Sequence, residues 1–358
     1  MVALLGFEVG ARVLLALRPP PSLTDLQPYQ MQDPKRPWHR LLRPGFMQTY
    51  AEAIASKREA GRVLGEQYVS RAGADSSGIF LRINREGFRG PEVDRTHAAP
   101  RIVTIGDSCT FGMGESSSYP RTLEQTLRER GIALEVINAA VEGYTPADAL
   151  LELDRIEALH PDVTTIYLGW NAIFDEEQVF GDPVLASWRL IRGASARLSR
   201  AFQGGSRVAA LDAYTRPKHP DRNARELAGL PEFVPKFLPE IRQMVRALRS
   251  SGSRVVLLTL PGLYELDQTP TDYMLKIGHL PIYTDNPYEL AALSARLNAL
   301  LRQMAREESI QLIDIESWSR SAFRPRERYF FDSVHFTDEG QAMLGRFLAD
   351  QIQPILSQ

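Results

Sequence analysis

The stretch Arg101-Ile-Val-Thr-Ile-Gly-Asp-Ser-Cys-Thr-Phe-Gly-Met-Gly114 decides the fold. Arg101 to Ile105 alternate and branch at Cβ as a buried strand does, and Gly106 stops it. A helical pattern opens near Tyr119-Pro120 and runs through Leu123 and Leu127. Ser108 therefore sits just past the C-terminal end of a strand, on a short turn leading towards a helix. In open α/β sheets, ligands bind at that edge. A serine there is a candidate nucleophile, which needs a base, a group to orient the base, and donors for an oxyanion.

Downstream, strands and helices alternate. Leu134-Glu-Val-Ile-Asn138 reads as a second strand and Val163-Thr-Thr-Ile-Tyr-Leu-Gly169 as a third. Between them Thr145-Pro146 starts a helix, threonine being a good N-cap and proline fitting the first helical position. That helix carries Leu150, Leu153 and Ile156 and ends at His160-Pro161. Glu232 to Arg249 is an amphipathic helix, and Arg254-Val-Val-Leu-Leu-Thr-Leu260 is the most apolar strand. Tyr288 to Glu308 is helical, Ile310-Gln-Leu-Ile-Asp-Ile315 is the last strand, and Thr337 to Ile355 is a closing helix. Right-handed crossovers then give a parallel sheet covered on both faces. The expected fold is a flavodoxin-like three-layer α/β/α sandwich with a five-stranded parallel sheet of order 2-1-3-4-5, which places Ser108 beside the topological switch point.

Residues 1–97 read as an N-terminal extension to a domain over 98–358. Met1 to Leu17 is apolar but interrupted by Glu8 and Arg12, too short and charged for a membrane span and without a signal peptide's pattern. It reads as an amphipathic helix packed on the body, with the remnant of a membrane anchor as the alternative. From Pro19 to about Arg62 the chain reads as an irregular wrap and a short helix. Gln67-Tyr-Val-Ser-Arg71 and Gly78-Ile-Phe-Leu-Arg-Ile-Asn84 alternate as half-buried strands do. Two insertions, about 172–230 and 261–286, fall on the active edge and are candidates for a lid or an acyl or sugar pocket. The second holds Tyr264, Tyr273 and Tyr283.

Composition limits the functional classes. The chain has 358 residues, 44% hydrophobic and 24% charged, with a net charge of -2, so nothing in it favours nucleic acid or an anionic membrane. Six histidines without neighbouring cysteines or carboxylates at ligand spacing argue for no metal and no cofactor. A single cysteine, Cys109, rules out an intramolecular disulfide and leaves the compartment open: cytoplasmic, or periplasmic and membrane-associated if residues 1–18 once belonged to an anchor. Peripheral membrane contact would run through those residues. Oligomeric state is not written in the sequence.

Companions for Ser108 come from other strand ends. Gly143 follows the second strand, Gly169-Trp-Asn171 the third, and Phe331-Asp-Ser-Val-His-Phe-Thr337 precedes the closing helix. In Asp332-x-x-His335 the carboxylate can reach the imidazole of its own loop, fix its tautomer and stabilise the imidazolium. Taken singly, each is ordinary: a turn, a structural histidine, a turn glycine, a capping asparagine. Asp107 reads as a brace for the turn and Trp170 as packing. His160 and His279 read as surface residues. The glycines at 106, 112 and 114 lack the lysine and hydroxyl of a phosphate-binding loop.

In chain order these residues resemble the four motif blocks of the SGNH (GDSL-type) serine hydrolase family, from about residue 100 to 356. Gly106-Asp-Ser108 with Phe111-Gly112 is similar to the first block, Gly143 to the second, Gly169-Trp-Asn171 to the third and Asp332-Ser-Val-His335 to the last. The resemblance implies Ser108 as nucleophile, His335 as base and Asp332 as its partner, with an oxyanion hole of the Ser108 and Gly143 N–H groups and the Asn171 amide. Two positions depart from the pattern. Ala172 stands where an aspartate usually follows the asparagine, and Cys109 follows the serine where an apolar residue is usual. The implied activity is hydrolysis of a carboxylic ester, a short acyl or acetyl group on a sugar or small metabolite, through an acyl-enzyme. Acyl transfer on the same triad, or a non-catalytic scaffold that binds glycan or polymer, are the alternatives.

Overall fold

The computed structural model describes residues 26–59, 78–112, 118–180, 232–281 and 283–357. The expectations for residues 1–18, for Gln67–Arg71 and for most of the first insertion fall outside them.

Before the main sheet lie β1 (Gln30–Asp33), β2 (Arg36–Leu42), β3 (Met47–Thr49), the helix α1 (Tyr50–Glu59) and β4 (Ile79–Arg82). β1 pairs antiparallel with β2, and β3 with β4. The expected irregular wrap is thus partly strand. The polar composition of Gln30–Asp33 and the proline in β2 hide it, because a two-stranded ribbon needs only one buried face and tolerates proline on its open edge. His39 and Leu42 are the buried residues of β2, while Trp38 stays 45% exposed.

The main sheet is built from β5 (Arg101–Gly106), β6 (Glu135–Asn138), β7 (Val163–Tyr167), β8 (Arg254–Leu258) and β9 (Gln311–Ile313). Their order is β6-β5-β7-β8-β9, with every pairing parallel. That is the expected 2-1-3-4-5 arrangement. All residues of β5 and β7 are buried, as strands covered on both faces must be.

After β5 comes α2 (Ser108–Phe111), a single turn, and then α3 (Tyr119–Glu129). The helix at Thr145 starts as expected: Thr145 accepts from the Asp148 N–H, and the Asp148 side chain returns to the Thr145 N–H in a capping box. It is divided at Glu152 into α4 (Pro146–Leu151) and α5 (Leu153–Glu157). The amphipathic helix α6 runs Leu238–Ser250, beginning later than its sequence pattern because Phe233 bridges to Phe180 instead. α7 (Pro287–Glu307) and α8 (Asp338–Leu356) complete the layers. No helix among the described residues is long and apolar enough to cross a membrane.

Candidate active site

The turn after β5 is built by Asp107. Its side-chain Oδ1 accepts from the Cys109 N–H at 2.9 Å, and its carbonyl accepts from Thr110 and Phe111 at 3.1 and 2.9 Å. Asp107 is fully buried, and burial pushes its pKa up to about 6. As an N-cap it leaves Ser108 at the first helical position, partly exposed. Asp107 braces the turn as its sequence context implies. Cys109 points inward, fully buried, with its thiol donating to the Val334 carbonyl at 3.4 Å. The position after the serine thus ties the turn to the loop that carries His335.

That loop delivers its two candidates together. Asp332 Oδ1 accepts from the Val334 and His335 N–H groups at 2.9 and 2.8 Å. Asp332 Oδ2 lies 2.7 Å from His335 Nδ1, and His335 Nε2 lies 2.7 Å from Ser108 Oγ. Burial would lift the Asp332 pKa, but the facing His335 overrides it and holds the carboxyl down at about 2. For His335 burial again opposes the charge, and the Asp332 carboxylate outweighs it, raising the imidazole's affinity for a proton. Phe331 stacks on the His335 ring with centroids 5.4 Å apart. Two-point clamping and stacking leave the imidazole little rotational freedom.

The ends of β6 and β7 meet this pair. Val141 N–H donates to the Gly106 carbonyl at 3.2 Å, which carries the following loop past Ser108. Gly143 there has φ +81, a conformation that favours glycine. A Cβ on it would lie 2.8 Å from Arg40 Nη1. Neither the Ser108 nor the Gly143 backbone N–H has an acceptor among the described residues. Asn171 lies in the turn Trp170–Ile173, its Nδ2 donating to the Tyr144 carbonyl at 2.9 Å. Ala172 is fully buried and brings no polar group, so the brace on Asn171 is this carbonyl. Trp170 packs, 2% exposed, with its Nε1 donating to the Tyr167 hydroxyl at 3.3 Å.

His279 departs from its surface reading. Its Nδ1 is 3.9 Å from Asp332 Oδ2, its ring lies 4.9 Å from that of Phe174, and burial lowers its pKa. The cause is the second insertion, which folds over the 331–336 loop. Leu263 N–H donates to the Ser333 carbonyl at 2.8 Å, His279 N–H donates to Ser333 Oγ at 2.8 Å, and Ser333 Oγ donates back to the His279 carbonyl. His160 is exposed, as read. Of the three insertion tyrosines, Tyr264 and Tyr283 are internal struts, donating to the carbonyls of Met274 and Ile173, and Tyr273 is exposed.

Asn138, in sequence only the end of the second strand, has a larger part in the structure. It is 4% exposed, its Nδ2 donates to the Thr110 carbonyl at 3.1 Å, and its Oδ1 accepts from Ala140 N–H at 3.1 Å. It ties the end of β6 to the serine turn. An asparagine closing a strand beside a candidate nucleophile was the available signal.

Comparison with known proteins gives the family of the chain. Residues 104–343 match the model of the GDSL-like lipase/acylhydrolase family. An arylesterase from Vibrio mimicus is 33% identical over 79 residues, 21% of this chain and 40% of that protein, so the chain spans under half the length of that relative. Among solved structures, an acetyl xylan esterase is 18% identical, covering 71% of this chain and 98% of its own, with a TM-score of 0.43. A lipase/acylhydrolase from Enterococcus faecalis is 17% identical over 71% of this chain and 96% of its own, with a TM-score of 0.45.

Proposed function

The chain belongs to the GDSL-like lipase/acylhydrolase family, a family of ester-hydrolysing enzymes, and from that premise we propose that it cleaves a carboxylic ester through an acyl-serine on Ser108. The carrying observation is the unbroken relay Ser108 Oγ–His335 Nε2 at 2.7 Å and His335 Nδ1–Asp332 Oδ2 at 2.7 Å. His335 accepts the hydroxyl proton as Oγ attacks the ester carbonyl, and Asp332 stabilises the imidazolium. The negative charge on the carbonyl oxygen is met by the N–H groups of Ser108 and Gly143 and by the Asn171 amide, each such donor being worth roughly a hundred- to a thousandfold in rate. The imidazolium then gives its proton to the departing alkoxide. In the second half, water attacks the acyl-serine, His335 takes the water's proton and returns it to Oγ, and the acid leaves.

A short acyl or acetyl group on a sugar or small metabolite is the proposed substrate class. The test is turnover of p-nitrophenyl esters from acetate to decanoate by wild type and Ser108→Ala. Serine-dependent turnover with a short-chain optimum supports the reading. Absence of turnover, with no fluorophosphonate labelling of Ser108, sinks it.

A further inference from the structure

The strand β2 lies outside the 104–343 stretch matched by the family, yet it closes on the loop that carries Gly143. Three consecutive residues of that loop are gripped from one side. At Gly143, the Arg40 guanidinium lies where any side chain would point, and its Nη1 reaches the Glu142 carbonyl at 3.5 Å. Tyr144 is 2% exposed, its hydroxyl donates to the Arg40 carbonyl at 2.7 Å, and it lies 3.2 Å from His39 Nε2. Thr145 is locked in its capping box with Asp148, and Asp148 Oδ1 lies 3.6 Å from His39 Nδ1.

His39 is the anchor of this grip. It is fully buried, with Nε2 3.0 Å from Glu152 Oε1. Burial disfavours its charge, but the facing Asp148 and Glu152 carboxylates push its pKa up to about 9, so near neutral pH it is a cation that donates to Glu152 and forms an ion pair with Asp148. The Tyr144 carbonyl, meanwhile, is the acceptor that holds Asn171 Nδ2 at 2.9 Å. The residue next to Gly143 therefore also fixes Asn171.

We infer that Tyr144 and His39 are positioning residues for the oxyanion hole, so that β2 is a working part of the hydrolytic site. The inference rests on the roles proposed above for Gly143 and Asn171. Oxyanion donors act only when held to within about half an ångström of the productive geometry. Both donors, from the ends of different strands, depend on one tyrosine whose hydroxyl is fixed by β2. Neither Tyr144 nor His39 touches the reacting atoms on this account.

Tyr144→Phe keeps the ring and removes only the hydroxyl, with its contacts to the Arg40 carbonyl and to His39 Nε2. Loosened donors lose interactions made in the transition state and not in the bound ester, so kcat should fall with KM hardly changed. We expect kcat on p-nitrophenyl acetate to drop about tenfold, part of the loss of a whole donor, with KM within about twofold and phosphonylation of Ser108 by a fluorophosphonate slowed in parallel. His39→Gln, which retains an N–H for Glu152 but loses the charge and the link to Asp148, is read the same way if the first variant does not fold. A variant that melts earlier but keeps wild-type kcat well below its melting temperature overturns the inference, as does a fall confined to KM. Lack of serine-dependent turnover in wild type would instead fail the reading on which it rests.

Discussion

Asp332 holds His335 at two points: Oδ1 accepts its main-chain N–H at 2.8 Å while Oδ2 meets its ring Nδ1 at 2.7 Å. One carboxylate thus sets both the backbone and the tautomer of the imidazole that faces Ser108. A charge placed so close to the ring also sets when the ring is free to act as a base.

Replacing Asp332 by Asn should therefore alter both the rate and its pH dependence. A base must be neutral to act, so activity rises as His335 loses its proton, and Asp332 raises the pH at which that happens above the ordinary 6.5. In Asp332→Asn the acidic limb of kcat/KM should move to lower pH, while the plateau falls by about 10⁴-fold because the tautomer and imidazolium are no longer supported. A pH–rate profile on p-nitrophenyl acetate tests both. An unmoved limb would show that Asp332 does not govern the base.

Gly143→Ala should be far worse than its added methyl suggests. The new Cβ would approach Arg40 Nη1 to 2.8 Å at φ +81, a backbone region that costs an L-residue about 1–2 kcal/mol. Shifting the loop to relieve both should cost kcat about a hundredfold, the scale of one displaced donor. Adding Arg40→Ala removes the collision and leaves the backbone strain, so the double variant should recover part of the loss. No recovery in a double-mutant cycle would assign the whole effect to φ.

Asn138→Ala should act on stability first. It strands the buried Thr110 carbonyl and Ala140 N–H, each now bonded at 3.1 Å, and an unsatisfied buried group costs about 1–3 kcal/mol. Urea unfolding should show a lower midpoint with an unchanged slope. A midpoint equal to wild type would mean that water or a shifted backbone replaces both bonds.

The parallel sheet was legible because its strands carry long-range information locally. Ile102, Val103 and Ile105 are buried on both faces and read as apolar runs, with glycines and caps marking their ends. Asp332 and His335 were legible because the pair is local in sequence. His39, Arg40 and Tyr144 were not: a histidine and an arginine in a polar ribbon look solvated until the Gly143 loop, about a hundred residues away, is folded against them. His279 is hidden for the same reason, since a loop histidine becomes a half-buried neighbour of Asp332 only through Ser333. Local pattern reports burial on regular elements and is silent about which loop covers which.

The sequence distance between Ser108 and His335, 227 positions, gives the site a sense of timing. During synthesis the serine emerges long before the imidazole that would draw off its proton, and until then it is an ordinary alcohol on a short turn. On the triad proposed above, a chain halted before residue 335, or one whose closing helix α8 has not docked, carries a serine without its base. Fluorophosphonate reactivity in this protein should therefore report completion of the fold, appearing only when the two ends of the matched segment have met.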